Sequence, residues 1–256
     1  MKAFPASTFN AYQKYRAFSK RNKVYKAGKY LLTAIFAVYG SILVFPQVLF
    51  AHEVSHRNFR VYSRRPLNES VYQVLDAAEA RLEKSPLYDK QLTEKIFISD
   101  TFSFYAFLNP LGRGSFANTT TGIGIMVNRA DVAGNVVFRN AGQDNKRSLS
   151  NVIAHEATHL LIQRKLGLIK SLVSLPRWKA EGYCEYVAGE TTISFVEGVR
   201  RWKANPNDDS AYLYFKYHQM AKYLLDDEKI SVEEFFGREF NEKELAAKVF
   251  AQISRN

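Results

Sequence analysis

The chain is most constrained by one ten-residue stretch, Val152-Ile153-Ala154-His155-Glu156-Ala157-Thr158-His159-Leu160-Leu161. Spacing of four puts His155 and His159 one turn apart on the same face of a helix. Two imidazoles held in that way can grip one metal ion. Glu156 lies between them, where it can serve as a general base. This is the His-Glu-x-x-His pattern, two zinc ligands and a base on one helix. The apolar flanks predict that the helix is buried, as a dry and rigid metal site requires. It should run from Leu149 to Leu166, with Gly167 as its stop. A third ligand has to come from elsewhere in the chain.

The sequence offers one. After a connector, Leu168 to Pro176, comes Arg177-Trp178-Lys179-Ala180-Glu181-Gly182-Tyr183-Cys184-Glu185-Tyr186-Val187. Glu181 lies in an apolar, aromatic context beside a glycine that permits close approach, and it is the expected third ligand. Glu185 is one turn further along the same face. Its natural role is to accept the free ring N–H of a ligating histidine, His155, and so fix the ligating tautomer. Cys184 is expected to point away from the Glu181 face as an inert buried thiol. A helix over 209–226 is dense in aromatics, among them Tyr212, Tyr214, Tyr217 and Tyr223. A tyrosine hydroxyl from it can donate to a developing oxyanion.

A second His-Glu-x-x-His, His52-Glu53-Val54-Ser55-His56, carries less weight. Arg57 follows it directly, basic residues continue to Arg65, and no third ligand is suitably placed. It reads as a membrane-exit segment.

Charge and hydropathy set the frame around the site. The net charge of +11 is uneven: residues 1–65 hold 12 Lys/Arg against the single acidic Glu53, and residues 66–256 hold 24 of each sign. The folded part therefore has no basic excess to track phosphates, and nucleic acid is not an expected partner. Tyr30 to Ala51 has no charged residue, and as a helix it would span roughly 33 Å, about one bilayer. Seven positive residues between Lys14 and Lys29 precede it closely and four arginines follow. That pattern favours a cytoplasmic N-terminus and an extracytoplasmic domain. The long polar lead and the poor cleavage site at Leu49-Phe50-Ala51 argue for an uncleaved anchor.

The expected organisation is a basic tail over 1–29, a transmembrane helix over 30–51, a juxtamembrane linker over 52–66 and a metal-binding domain over 67–256. Within that domain a helix is expected over 68–85 and a strand over 95–99. A long loop should occupy 100–121. Strands are expected over 122–128 and 135–139, and two short helices between Ser231 and Arg255. Gly134 to Phe138 is a candidate sheet edge for an extended peptide.

With these residues in place, the stretch 95–235 resembles the gluzincins of the aminopeptidase N-like kind. His155-Glu156-Ala157-Thr158-His159 is similar to their zinc helix. Trp178 to Tyr186 is similar to their Trp-Leu-x-Glu-Gly-x-Ala-x-Tyr stretch, which implies Glu181 as third ligand. Tyr214-Phe215-Lys216-Tyr217 resembles their Tyr-x-Lys-Gly helix, which selects Tyr214 as the oxyanion donor. The chain departs from the pattern in three ways. The spacing from His159 to Glu181 is longer, Tyr217 stands in place of the glycine, and the Gly-x-Met-Glu-Asn element that captures a free amino terminus is absent. The resemblance implies an α+β, zincin-like core in which a small mixed sheet and the active-site helix precede a helical subdomain. It implies Zn2+ as cofactor and a peptide or protein substrate, while the missing amino-terminus element and the candidate edge at Gly134 to Phe138 point to endopeptidase action. The alternative is a catalytically inactive, zinc-bound scaffold module at the membrane.

Overall fold

A computed structural model describes residues 15, 22–204 and 210–254. Most of the basic tail, the first residue of the expected helix 209–226, and Arg255 lie outside them. The chain divides into two units, Met1–Phe45 and Pro46–Asn256.

The first unit is a single apolar helix, α1 (Lys23–Val44), started by the Asn22 side chain, which accepts from the Tyr25 amide at 3.1 Å. Among the described residues it is the one helix long and apolar enough to cross a membrane. It begins and ends earlier than the apolar run over 30–51 suggests. Pro46 is the reason for the early end. Proline has no N–H to donate to the helix ladder and disfavours the helical conformation in the residue before it, Phe45.

The second unit is α+β. Its elements are β1 (His52–His56), β2 (Phe59–Ser63), α2 (Ser70–Leu82), β3 (Glu94–Ile98), α3 (Phe102–Leu108), β4 (Ala117–Thr120), β5 (Gly124–Val127), β6 (Ala130–Asp131), β7 (Val136–Phe138), β8 (Lys146–Ser148), α4 (Leu149–Leu166), α5 (Arg177–Ala188), α6 (Phe195–Ala204), α7 (Ser210–Lys222), α8 (Val232–Gly237) and α9 (Glu242–Ile253). The main sheet is mixed, in the order β1-β2-β3-β5-β4. Its two edge strands are antiparallel to their neighbours and its centre is parallel. A smaller antiparallel sheet has the order β6-β7-β8.

Three expectations are corrected here. Residues 52–63, read as part of a linker, form a β-hairpin built into the main sheet, with Phe59 and Val61 buried. His52 and His56 therefore sit on a strand, roughly 13 Å apart at 3.3 Å per residue, and cannot share one metal. His56 instead contacts Asp76 at 2.7 Å and packs on Tyr72. The expected loop over 100–121 contains α3, capped by Thr101, and the edge strand β4. Its Phe and Thr residues are the apolar and β-branched content of those elements. Finally, β7 is the middle strand of the small sheet, paired on both sides, so Gly134 to Phe138 offers no free edge. The free edge near the metal helix belongs to β4.

The core lies between the main sheet and α4. Val61, Ile96 and Ile125 from the sheet, Val74, Leu75 and Ala78 from α2, and Val152, Ile153 and Leu161 from α4 belong to one buried cluster. Helix α4 has no Gly or Pro, is apolar around most of its circumference, and is accordingly a core helix rather than a surface one. Arg164 and Lys165 lie in its last turn, where cations favour the helix dipole, and Gly167 ends it at φ +83°. Behind α4 stand α5 and α7, which pass very close. A Cβ on Gly182 would lie 2.6 Å from the Tyr217 carbonyl oxygen.

Candidate metal centre

Helix α4 brings His155 and His159 to its α5-facing side, and α5 brings Glu181 against both. Glu181 Oε2 lies 3.3 Å from His155 Nε2 and 3.5 Å from His159 Nε2. That oxygen is buried and has no hydrogen-bond partner. The three expected ligands thus converge on one point. Burial alone would raise the Glu181 pKa, but the two imidazoles outweigh it and hold the carboxyl well below its usual range.

Cys184 is placed differently from expectation. A nitrogen of each histidine and the Cys184 Sγ all lie within 4.8 Å of one another, and this buried group could hold a metal. Helix geometry explains the error. Residues three apart are separated by only about 60° around an α-helix, so Cys184 shares the face of Glu181. Burial, followed by the carboxylates of Glu181, Glu156 and Glu185, pushes its thiol pKa well up. Without a bound cation it is a neutral thiol.

Glu185 stands where the sequence puts it. Its Oε1 is 3.2 Å from His155 Nδ1, close enough for an ion pair but off the hydrogen-bond direction. Its second partner was not anticipated. Arg147 on β8 reaches in with a two-pronged contact, Nη1 to Oε1 and Nη2 to Oε2, both 2.9 Å, and also donates to the Glu190 carbonyl at 2.8 Å. Both side chains are buried. Burial opposes the charge on Glu185, yet Arg147 and then His155 outweigh it and bring its pKa down to about 2. Burial likewise opposes the charge on His155, and the carboxylates of Glu185 and Glu181 hold its pKa up to about 10. Nothing in the sequence marks Arg147: an arginine beside Lys146 in a polar stretch looks like a surface residue.

Glu156 lines a cavity of about 290 Å3 together with His155 and Tyr214. The Thr119 hydroxyl on edge strand β4 donates to Glu156 Oε2 at 2.7 Å and to its main-chain carbonyl at 3.0 Å. Thr119 was also missed, because β4 was read as loop. The Tyr214 ring centroid is 6.2 Å from that of His155. Burial, then the Glu181 charge, raises the Tyr214 pKa, so its phenol stays protonated and able to donate. The Arg177 guanidinium lies 5.8 Å from the centre of that ring.

No protein-family model matches the chain, and no curated protein matches it.

Proposed function

We propose that the chain is a membrane-anchored zinc metallopeptidase of the gluzincin kind, held by its apolar helix with the N-terminus cytoplasmic and the α+β unit outside. The observation that carries this reading is the bare Glu181 oxygen. A buried carboxylate oxygen without a hydrogen bond, facing two imidazole nitrogens, is costly unless a cation completes it. The donor set of two imidazoles and a carboxylate suits Zn2+. His155, His159 and Glu181 would hold it, with Glu185 and Arg147 fixing the orientation of His155. Bound there, zinc supplies a Lewis acid that acidifies water and polarises a carbonyl.

The chain's own residues do the rest. Glu156, with one oxygen steadied by Thr119, takes the proton from the attacking water and passes it to the leaving amine. Tyr214 donates its hydroxyl to the oxyanion that develops on the scissile carbonyl. The free edge of β4 gives an extended peptide main-chain partners beside Glu156. Such binding needs chain on both sides of the scissile bond, which favours an endopeptidase. A peptide blocked at both ends should be cut as readily as its free counterpart.

The test is metal content and peptide turnover in the full-length protein. Glu156→Gln should keep about one zinc per chain and lose turnover by about 10²–10⁴-fold. Glu181→Ala should lose the metal. A second reading rests on Cys184, whose sulfur could close the coordination sphere as a fourth donor. Closed sites are structural rather than catalytic, and the unit would then be a zinc-bound scaffold. That reading is upheld if the zinc-loaded wild type cuts nothing and Cys184→Ala, as well as Glu181→Ala, releases the metal.

A further inference from the structure

The connector between the two metal-site helices has an unusual surface. After Gly167 the chain makes one wide helical turn, Lys170–Ser174. Leu166 before it and Leu175 after it pack against the core. The turn itself points its side chains outward: Ile169 is 78% exposed, Val173 79%, Leu172 64% and Leu168 47%. These four recur at spacings of three and four, so they share one side of the turn. Part of the backbone beneath them is satisfied internally, with the Ser171 amide bonded to the Gly167 carbonyl and the Leu175 amide to the Lys170 carbonyl. The Ser171 hydroxyl adds a bond to the Leu168 carbonyl. Each main-chain polar group already paired lowers the cost of taking such a surface out of water.

Charge indicates what it meets. From Ala157 to Ala180 there is no acidic residue, while Lys170 lies in the turn and Lys165 precedes it. Lys170 is exposed, and Lys165 is only loosely paired with Glu233, at 3.4 Å. Aliphatic side chains with an exposed lysine among them match the interface of an anionic bilayer, where acyl chains lie under negative headgroups. Four aliphatic side chains fall well short of the roughly 800 Å2 that each partner gives to a stable protein interface. A small contact suffices for a chain that already carries an apolar anchoring helix, because the tether makes the second contact intramolecular.

We propose that residues 168–173 form a second membrane contact, which seats in the headgroup layer of an anionic lipid surface. The turn joins the helix carrying His155 and His159 to the helix carrying Glu181. Its insertion would therefore hold the metal group close to the lipid surface, and the substrates within reach would be chains lying on or emerging from the same bilayer.

The test uses the full-length protein in phosphatidylcholine–phosphatidylglycerol vesicles. A polarity-sensitive thiol probe is placed singly through Ile169→Cys, Val173→Cys, Gln91→Cys and Lys243→Cys. The native Cys184 is buried, and the unsubstituted protein carried through labelling gives its background. Probes at 169 and 173 should lose intensity when the lipid is replaced by its chain-brominated form, and probes at the exposed positions 91 and 243 should not. Quenching at 169 and 173 no greater than at 91 and 243 overturns the proposal. Shielding of the 169 and 173 probes from aqueous iodide, without quenching by brominated lipid, also overturns it and assigns the surface to a protein partner.

Discussion

Replacing Arg147 by methionine should unfold the molecule at a much lower temperature. The guanidinium makes a two-pronged contact with Glu185, and the two side chains are 6% and 0% exposed. Methionine fills comparable space but leaves the Glu185 carboxylate in the interior with His155 as its one remaining charged contact. Removing one partner of a buried pair costs about 3–5 kcal/mol. The depressed Glu185 pKa gives an independent scale. A carboxyl held at about 2 instead of 4.5 corresponds to about 3 kcal/mol of preference for its charged form. Against a total stability of about 5–15 kcal/mol that is a large share. For a domain of this size it should lower Tm by roughly 6–20 °C. Thermal unfolding of the metal-free, detergent-solubilised protein measures it. Adding Glu185→Leu to Arg147→Met should recover most of the loss, because an apolar pair needs no compensating charge. Zinc affinity should nevertheless stay about 10–100-fold lower in the double variant, since His155 has lost the group that orients it. A Tm loss below about 2 °C for Arg147→Met, or wild-type zinc affinity in the double variant, would refute the reasoning.

Three further outcomes follow from the same geometry. Gly182→Ala places a Cβ against the Tyr217 carbonyl, so α5 and α7 must part; about 1–3 kcal/mol of stability should be lost, with weaker metal binding, read by denaturant titration and zinc competition. Cys184→Ala should retain zinc if Glu181 is the third ligand, as metal analysis by mass spectrometry will show. The Glu185 contribution to the metal-free protein has a defined sign in pH: its folded pKa is depressed, so the stabilisation is present above about 4.5 and drains away as pH falls towards about 2. Glu185→Gln should flatten that part of the Tm-against-pH curve, and an unchanged slope would count against the assignment.

Much of the candidate site was legible because it is written locally. His155, Glu156 and His159 are read from spacing on a single helix whose ends, Leu149 and Leu166, are marked by composition and by Gly167. Glu181 and Glu185 follow from one more helix and the close approach that Gly182 permits. What stayed hidden depends on pairing across the chain. Arg147 matters because β8 delivers it to Glu185, 38 residues away, and no local pattern separates it from a solvated arginine. Thr119 matters because β4 lies at a sheet edge beside α4, and a four-residue strand of Ala, Asn and Thr has too little alternation to stand out from a loop. Cys184 was misplaced by neglect of the three-residue neighbour relation on a helix. The β1–β2 hairpin was lost because its histidines and arginines look like a membrane-flanking segment, while its burial is set by β3, some thirty residues on.

That hairpin bears on whether the α+β unit could be cut away from the apolar helix. In many anchored proteins the stretch after the apolar helix is a dispensable tether, and a cut there releases an intact soluble form. Here the same stretch supplies two of the five strands of the main sheet, with Phe59 and Val61 sealed in its interior. A protease acting between His52 and Pro66 would tear an edge off the sheet and bare the flank of β3. Release of a working soluble form would require cleavage on the helix side of β1, and a laboratory fragment meant to stand alone has to begin there as well.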